Sequence, residues 1–287
     1  MERYDFASGT AVVTGAAGGI GEQLAYALAE RGSALILVDR DAERLELVAE
    51  RARTRTRGGM GSDAGTGAGK RVSTYVVDLA DDAAAHATAA AIAAEHPDVS
   101  LLINNAGVAL GGSFEQVTEE EFDWLMAINL RAVITFTRAL LPTLRAHPGS
   151  HLVNLSSLFG LIAPAGQVAY STSKFAVRGF TEGLRAELAG VVGVTVVHPG
   201  GIRTGIAANS RVAAAVATAE AEAGKRTFAK LLTYPPQAAA ERILTAVERR
   251  RPRLLIALSA RMPDVLARVA PGHYPAILAA FMRRTAR

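Results

Sequence analysis

The chain contains no cysteine. Disulfides, thiolate nucleophiles and cysteine metal sites are therefore excluded. Aromatic residues are scarce, at 6% of 287, with a single tryptophan. Arginine clusters at 51–57 and 249–253 come without aromatic interleaving or a nucleic-acid motif, so they read as solvated faces. No basic, apolar, small-residue leader pattern opens the chain. The longest stretch without Asp, Glu, Lys or Arg, 146–173, is interrupted by Pro, Gly, Asn, Gln and Ser and does not read as a membrane span. These absences point to a soluble cytoplasmic protein with no nucleic-acid partner. What is present is a half-apolar chain of net charge +4. That suffices for one large α/β domain over 1–258, with 259–287 as a helical extension of it.

The chemistry centres on 157–174. Tyr170-x-x-x-Lys174 follows Ser157 by thirteen positions. In a helix, side chains at i and i+4 share one face, about 6 Å apart. A free tyrosine has a pKa near 10 and is a weak acid or base at neutral pH. A neighbouring ammonium favours the phenolate and lowers that value. Ser157 is then placed to hold a substrate oxygen while Tyr170 gives or takes its proton.

A partner for this chemistry is found near the start of the chain. Residues 9–14 read as a buried strand, followed by Thr14-Gly15-Ala-Ala-Gly18-Gly19-Ile20-Gly21 and a helix over 22–31. Strand, glycine turn and helix make a cradle for a pyrophosphate, because glycines admit the phosphates and the helix N-terminus offers free N–H groups. A tight turn with no ligand is the plainer reading of the glycines alone. A second strand, 34–38, ends in Asp39, eighteen residues after Gly21. That is near the ~20-residue offset of the acid that binds an adenosine ribose. A carboxylate there repels a 2′-phosphate and argues for NAD. Arg40 argues for NADP, and Gly18 stands where a basic residue before Gly19 would support it.

A helix is expected over 41–51, then a Gly-, Ser- and Thr-rich flexible surface insertion at 54–69. Strand three, 71–77, runs into Asp78-Leu79, where Asp78 faces an adenine or caps a helix over 80–95. Strand four, 99–103, ends in Asn104-Asn105-Ala106-Gly107, small enough for a ligand to lie against. Thr118 and Glu121 have capping-box spacing and start a helix carrying Asn129. Asn129 either bonds to backbone or holds a water in a proton path. Strand five, 150–157, delivers Ser157, and a helix covers 170–188. Strand six, 193–197, leads into His198-Pro199-Gly200-Gly201-Ile202-Arg203-Thr204. Strands alternating with helices predict a Rossmann-type, doubly wound parallel sheet of about seven strands, helices on both faces, with ligands beyond the carboxyl ends of the strands.

In this order the motifs resemble the short-chain dehydrogenase/reductase family over residues 8 to 204. The resemblance rests on Thr14-Gly15-x-x-x-Gly19-Ile20-Gly21, Asn104-Asn105-Ala106-Gly107, Asn129, Ser157, Tyr170-x-x-x-Lys174 and Pro199-Gly200-x-x-x-Thr204. It implies a hydride exchanged between NAD (NADP the alternative) and a carbon bearing hydroxyl or carbonyl. Tyr170 is then the general acid/base and Ser157 orients the substrate. Lys174 binds the nicotinamide ribose and lowers the Tyr170 pKa. Asn129 completes a proton relay, and Thr204 bonds the nicotinamide carboxamide. Gly15, Gly18, Gly19, Ile20, Gly21, Asp39, Arg40, Asp78, Leu79, Asn105, Ala106, Gly107, Pro199, Gly200 and Ile202 line the cofactor, with Tyr170 and Lys174 also among its contacts. The resemblance also implies a homodimer or homotetramer paired through the helices after strands four and five. A dehydratase or epimerase on the same scaffold, and a non-catalytic NAD(P) sensor, are the competing functions.

The resemblance places a substrate lid at 205–232; a surface helix pair without gating is the alternative. Pro235-Pro236 opens a helix through Arg250, and 254–258 is a candidate edge strand. Leu158, Phe159, Leu161 and Ile162 suggest an apolar alcohol or ketone substrate. Residues 261–287 carry amphipathic helical spacing flanked by arginines. Packing against the core or a second subunit ranks first for them, extension of the substrate pocket next, and weak contact with a membrane surface last.

Overall fold

The computed structural model describes residues 2–58 and 71–285. Seven strands build the central sheet: β1 (Thr10–Thr14), β2 (Ala34–Asp39), β3 (Val72–Val76), β4 (Val99–Asn104), β6 (His151–Leu155), β7 (Gly193–Pro199) and β9 (Arg253–Ile256). They lie in the order β3-β2-β1-β4-β6-β7-β9, all neighbours parallel. Successive side chains on a strand point to opposite faces. Val13, Leu35, Leu37, Leu101 and Ile103 thus join one apolar layer, while Val12, Ile36, Val38 and Leu102 join the other. The first layer is covered by α1 (Gly19–Glu30), α2 (Ala42–Gly58) and α8 (Pro236–Glu248). The second is covered by α3 (Asp82–Glu95) and α5 (Ala132–Ala146). This is the doubly wound sheet that the alternation predicts, with the edge strand at Arg253–Ile256.

Four local features differ from expectation. Helix α2 runs on to Gly58, into the start of the expected insertion. Ala52 buries against the core, Arg53 bonds Glu46 and the Val72 carbonyl, and Arg55 bonds Glu30 while stacking on Tyr26. These anchors hold an arginine-rich turn in helix. The rest of the insertion, 59–69, lies outside the described residues. Helix α3 is capped by Asp81, whose carboxylate accepts the Ala84 N–H, and not by Asp78. A two-residue parallel pair, β5 (Leu110–Gly111) with β8 (Arg211–Val212), ties the segment after β7 to the segment after β4. Finally, α8 ends at Glu248, because Arg250 takes a positive φ of 52°. The Arg250 guanidinium bonds the carbonyls of Glu2, Gly149 and Ser150.

α4 (Glu119–Met126) starts on the expected capping box, Thr118 with Glu121. It continues through a π turn, Ala127–Arg131, directly into α5. By length and composition this helix could cross a membrane. Here half of its apolar window is buried, and Phe136, Leu140 and Leu144 are core. Beyond β9, α9 (Leu258–Val269) and α10 (Tyr274–Thr285) close the described chain. Helix α9 packs on the fold through Ala260 and Asp264, while its apolar stripe faces outward. Leu258, Met262, Val265 and Val269 are between 59% and 79% exposed.

Two buried histidines make an acid-sensitive element. The His151 Nδ1 accepts from Arg250, and its Nε2–H donates to Thr195 Oγ at 2.8 Å. Burial pushes the His151 pKa down to about 3, and that of His198 down to about 4. Both lie below the ordinary value of about 6.5. The unfolded chain therefore binds more protons below pH 6.5. The stability these rings confer is present above pH 6.5 and is lost as pH falls towards 4 and 3. The urea midpoint is expected to drop steeply between pH 6.5 and 4, and His151→Gln to flatten that slope.

Candidate active site

The sheet delivers the predicted residues to its carboxyl edge in three groups. The first is the glycine turn after β1. Gly15 and Gly19 sit at φ of 67° and 60°, which only glycine adopts without strain. A Cβ on Gly21 would lie 2.0 Å from the Gly15 carbonyl oxygen. Only hydrogen at Gly21 lets α1 start so close to β1. Gly18 caps α1 with no side-chain bond to its first turn. The leading N–H groups of the helix are thereby left open. The Asn105 amide donates to the Thr14 and Gly15 carbonyls, and the Thr14 hydroxyl accepts the Asn105 and Ala106 N–H groups. The Asn105 side chain thus braces the turn. The Thr204 methyl lies against Gly19, across the turn.

The second group is at the ends of β2 and β3. The Asp39 carboxylate accepts the Ala17 and Asp41 N–H groups. Arg40 pairs with Asp78 at 3.9 Å, both side chains about half exposed. Leu79 and Ile202 are buried, so they border the cleft through backbone. Sequence reasoning missed Arg44, whose guanidinium lies 3.3 Å from where a Gly18 Cβ would stand. It occupies in space the place of the basic residue that Gly18 lacks in sequence. Its signal was the helical turn between Asp41 and Arg44, since the Asp41 carboxylate accepts the Arg44 N–H.

The third group gathers Asn129, Ser157, Tyr170 and Lys174, the residues expected to be catalytic. Tyr170 and Lys174 lie on α6 (Val168–Glu187), as the i, i+4 spacing requires. Ser157 caps a 3₁₀ turn, Leu158–Gly160, its hydroxyl accepting the Phe159 N–H at 3.2 Å. Gly160 lets this turn abut α6, since a Cβ there would meet the Lys174 carbonyl oxygen at 2.7 Å. The Lys174 Nζ donates to the Leu155 carbonyl at 3.3 Å and stands 5.8 Å from the Tyr170 ring. Asn129 sits in the π turn, fully buried. Its Nδ2 donates to the Val108 carbonyl and Ser173 Oγ, and its Oδ1 accepts the Val108 N–H. Both Asn129 and Lys174 face Gly107, where a Cβ would come within 3.3 and 3.0 Å of their polar atoms.

Electrostatics correct one expectation. Burial raises the Tyr170 pKa above its ordinary 10, and the approach of the Ser157 hydroxyl is what lowers it. The Lys174 ammonium is itself buried, which pulls its pKa down to about 8. Sequence reasoning also passed over His198. Its Nδ1–H donates to the Ser157 carbonyl at 3.0 Å, fixing the backbone that presents the serine, while its Nε2 is buried with no partner among the described residues. Its position just before Pro199-Gly200, at a strand end, was the available signal.

Gly200 and Gly201 pack tightly. A Cβ on Gly200 would strike Ser259 Oγ, and one on Gly201 the Leu231 carbonyl. Pro199 ends β7 beside them. Leu161 and Ile162 are buried, whereas Leu158 and Phe159 stay partly open. The Phe159 ring meets Tyr170 edge-on at 5.9 Å between centroids. Ile206, Trp124 and Phe122 pack against the same cluster.

The sequence profile described as short chain dehydrogenase matches residues 9–215. SadH of Mycobacterium tuberculosis, described as an oxidoreductase, is 37% identical over 283 residues, covering 96% of this chain and 95% of its own. UcpA of Escherichia coli, an oxidoreductase, is 33% identical over 200 residues, 69% of this chain and 71% of its own. Among solved structures, a short-chain dehydrogenase/reductase from Burkholderia phymatum in complex with NAD superimposes with a TM-score of 0.78 at 27% identity, covering 96% of each chain. One from Sphingobium yanoikuyae in complex with NADPH gives a TM-score of 0.72 at 27% identity, over 92% of this chain and 94% of its own. With the profile, the near full-length relative and the seven-stranded fold in agreement, the chain belongs to the short-chain dehydrogenase/reductase family, a family of oxidoreductase enzymes.

Proposed function

We propose that the chain interconverts a mostly apolar secondary alcohol and its ketone, using NAD, with Tyr170 as general acid/base. The observation that carries this is the approach of Ser157 to Tyr170 with Lys174 one helical turn further on, at the same sheet edge as an uncapped helix N-terminus. The cradle fits a dinucleotide. Its turn is glycine where a Cβ would intrude, its N–H groups are open, and Asp39 stands at the end of β2. Bound there, a nicotinamide supplies or accepts the hydride.

The remaining steps fall to the protein. The Ser157 hydroxyl, held by Phe159 N–H and by His198 through its own carbonyl, orients the substrate oxygen. Tyr170 delivers a proton to that oxygen during reduction and removes it during oxidation. Lys174 holds the nicotinamide ribose, and Thr204, next to Gly19, the carboxamide. Asn129 keeps one Oδ1 lone pair for a water that carries the proton outward. Phe159 and Ile206 supply an apolar wall that favours an apolar ketone over a charged one.

Residues 205–232 act as the lid. Their first part is anchored by β8, by the Glu121 bond to Ala214 N–H and by Arg211 stacked on Trp124. Their second part, α7 (Thr218–Leu231), buries no residue and is free to move. A groove of about 500 Å³ between α5 and α6, lined by Ile134, Leu141, Pro142 and Phe180 among others, suits the expected pairing of subunits.

The test is a fluorescence titration with NADH and with NADPH. NADH is expected to bind several-fold more tightly, because Asp39 repels a 2′-phosphate. Asp39→Ala is expected to erase that preference. Tighter NADPH binding by the native chain would mean that Arg40 and Arg44 outweigh Asp39. Binding of neither would remove the cradle and the oxidoreductase reading with it.

A further inference from the structure

The charge of this chain is split between its two parts. Of 31 Lys+Arg and 27 Asp+Glu, residues 249–287 hold nine arginines and one acid, Asp264. That segment carries +8, and residues 1–248 carry −4. The one acid is already taken. Arg253 grips Asp264 at 2.6 and 3.2 Å, and Arg268 bonds it at 3.2 Å. Beside this pair a groove of about 310 Å³ is lined by Arg242, Arg251, Arg261 and Val265 among others. Arg242, Arg251 and Arg261 pair with no carboxylate among the described residues.

The groove borders an apolar stripe. Leu258, Met262, Val265 and Val269 recur at i, i+4, i+7 and i+11 of α9, which aligns them on one face. They are 71%, 71%, 59% and 79% exposed. An exposed stripe on a basic helix, next to unpaired guanidinium groups, suits a surface with acyl chains below and negative charge above.

We infer that α9 and the arginine groove dock the enzyme on an anionic phospholipid bilayer, the stripe entering the acyl boundary and Arg242, Arg251 and Arg261 meeting headgroup phosphates. A second copy joined face to face would set these arginines against their own likeness. A nucleic acid would leave the stripe in water. The docked helices also touch the active site. The Tyr274 hydroxyl accepts the Ala163 N–H, and Ser259 Oγ accepts the Gly201 N–H. If the substrate is apolar, as proposed above, docking opens its pocket near the phase in which it dissolves. The docking itself does not depend on that reading.

The test is co-sedimentation of the full chain with vesicles of phosphatidylcholine alone and of phosphatidylcholine with phosphatidylglycerol, at low and high salt. Binding is expected only to the anionic vesicles and is expected to weaken with salt. Arg251→Gln with Arg261→Gln should reduce partitioning about twenty-five-fold, at about fivefold per arginine. Met262→Asp with Val265→Asp should abolish it. These positions are exposed, so circular dichroism and NADH binding should match the native chain. No binding to anionic vesicles, equal binding to neutral ones, or unchanged binding by both variants would each overturn the inference. So would dissociation of an oligomer by Met262→Asp in sedimentation velocity, which would make the stripe a subunit contact.

Discussion

Tyr170→Phe is expected to lower turnover about a thousandfold while leaving NADH affinity within about twofold, since proton transfer by a placed side chain is worth about 10² to 10⁴. The ring stays in place, because its edge contact with Phe159 and its burial do not involve the hydroxyl. What is lost is the proton at the substrate oxygen and the partner of the Ser157 hydroxyl. Single-turnover kinetics separates this from slow product release. Turnover close to native in the variant would remove Tyr170 from the mechanism. A sensor would show no loss of function at all, and a dehydratase would retain substrate consumption without change in NADH absorbance.

Lys174→Met is expected to destroy activity and to make the cofactor-free protein more stable. Lys174 is fully inside, with one carbonyl bond at 3.3 Å. Burial moves its pKa from 10.5 to about 8. A shift of that size corresponds to roughly 3 kcal/mol against the charged form at neutral pH. Methionine fills a similar volume without a charge. Because the folded pKa is depressed, the unfolded chain binds more protons between about pH 8 and 10.5. Native stability therefore rises with pH through that window. Above pH 10 the raised pKa values of Tyr170, Tyr4 and Tyr75 oppose the rise. Thermal melts should thus show the variant well above the native enzyme at pH 7, by several degrees, and closer to it at pH 9.5. A variant less stable at pH 7 would show that the ammonium is well solvated in the fold. A lysine kept at such a cost is there for the ligand.

The strand positions are legible in the sequence because buried parallel strands are runs of Val, Ile and Leu bounded by turn residues, as in 34–38 and 99–103. The i, i+4 pair on α6 and the glycine turn are legible for the same local reason. What escapes is set by tertiary contact. Arg44 and His198 act through neighbours far away in sequence, Gly18 and Ser157. The β5–β8 pair is two residues long and leaves no periodicity. Asp78 and Asp81 both have cap chemistry, and only the path of the chain assigns the cap to Asp81. The spacing in α9 marks an apolar face correctly. Whether that face is covered is a property of its surroundings, and Met262 at 71% exposed shows that the rest of this chain does not cover it. The sign of the Tyr170 shift depended on burial, which pairwise spacing does not carry.

The π turn at Ala127–Arg131 has a consequence for the whole helix it interrupts. It is one peptide unit in excess of an α-helical count, and each residue turns a helix by about 100°. The surplus unit works as a vernier between two faces cut to different templates. Leu125 on one side is dialled to the apolar cluster around Tyr170, and Phe136 on the other to the sheet. Deleting a single residue there would restore a regular helix and turn one half by about a quarter revolution against the other. Asn129 would swing off Val108 and Ser173 with every neighbour still in sequence. The polar centre of this enzyme rests on an indexing error that the fold preserves.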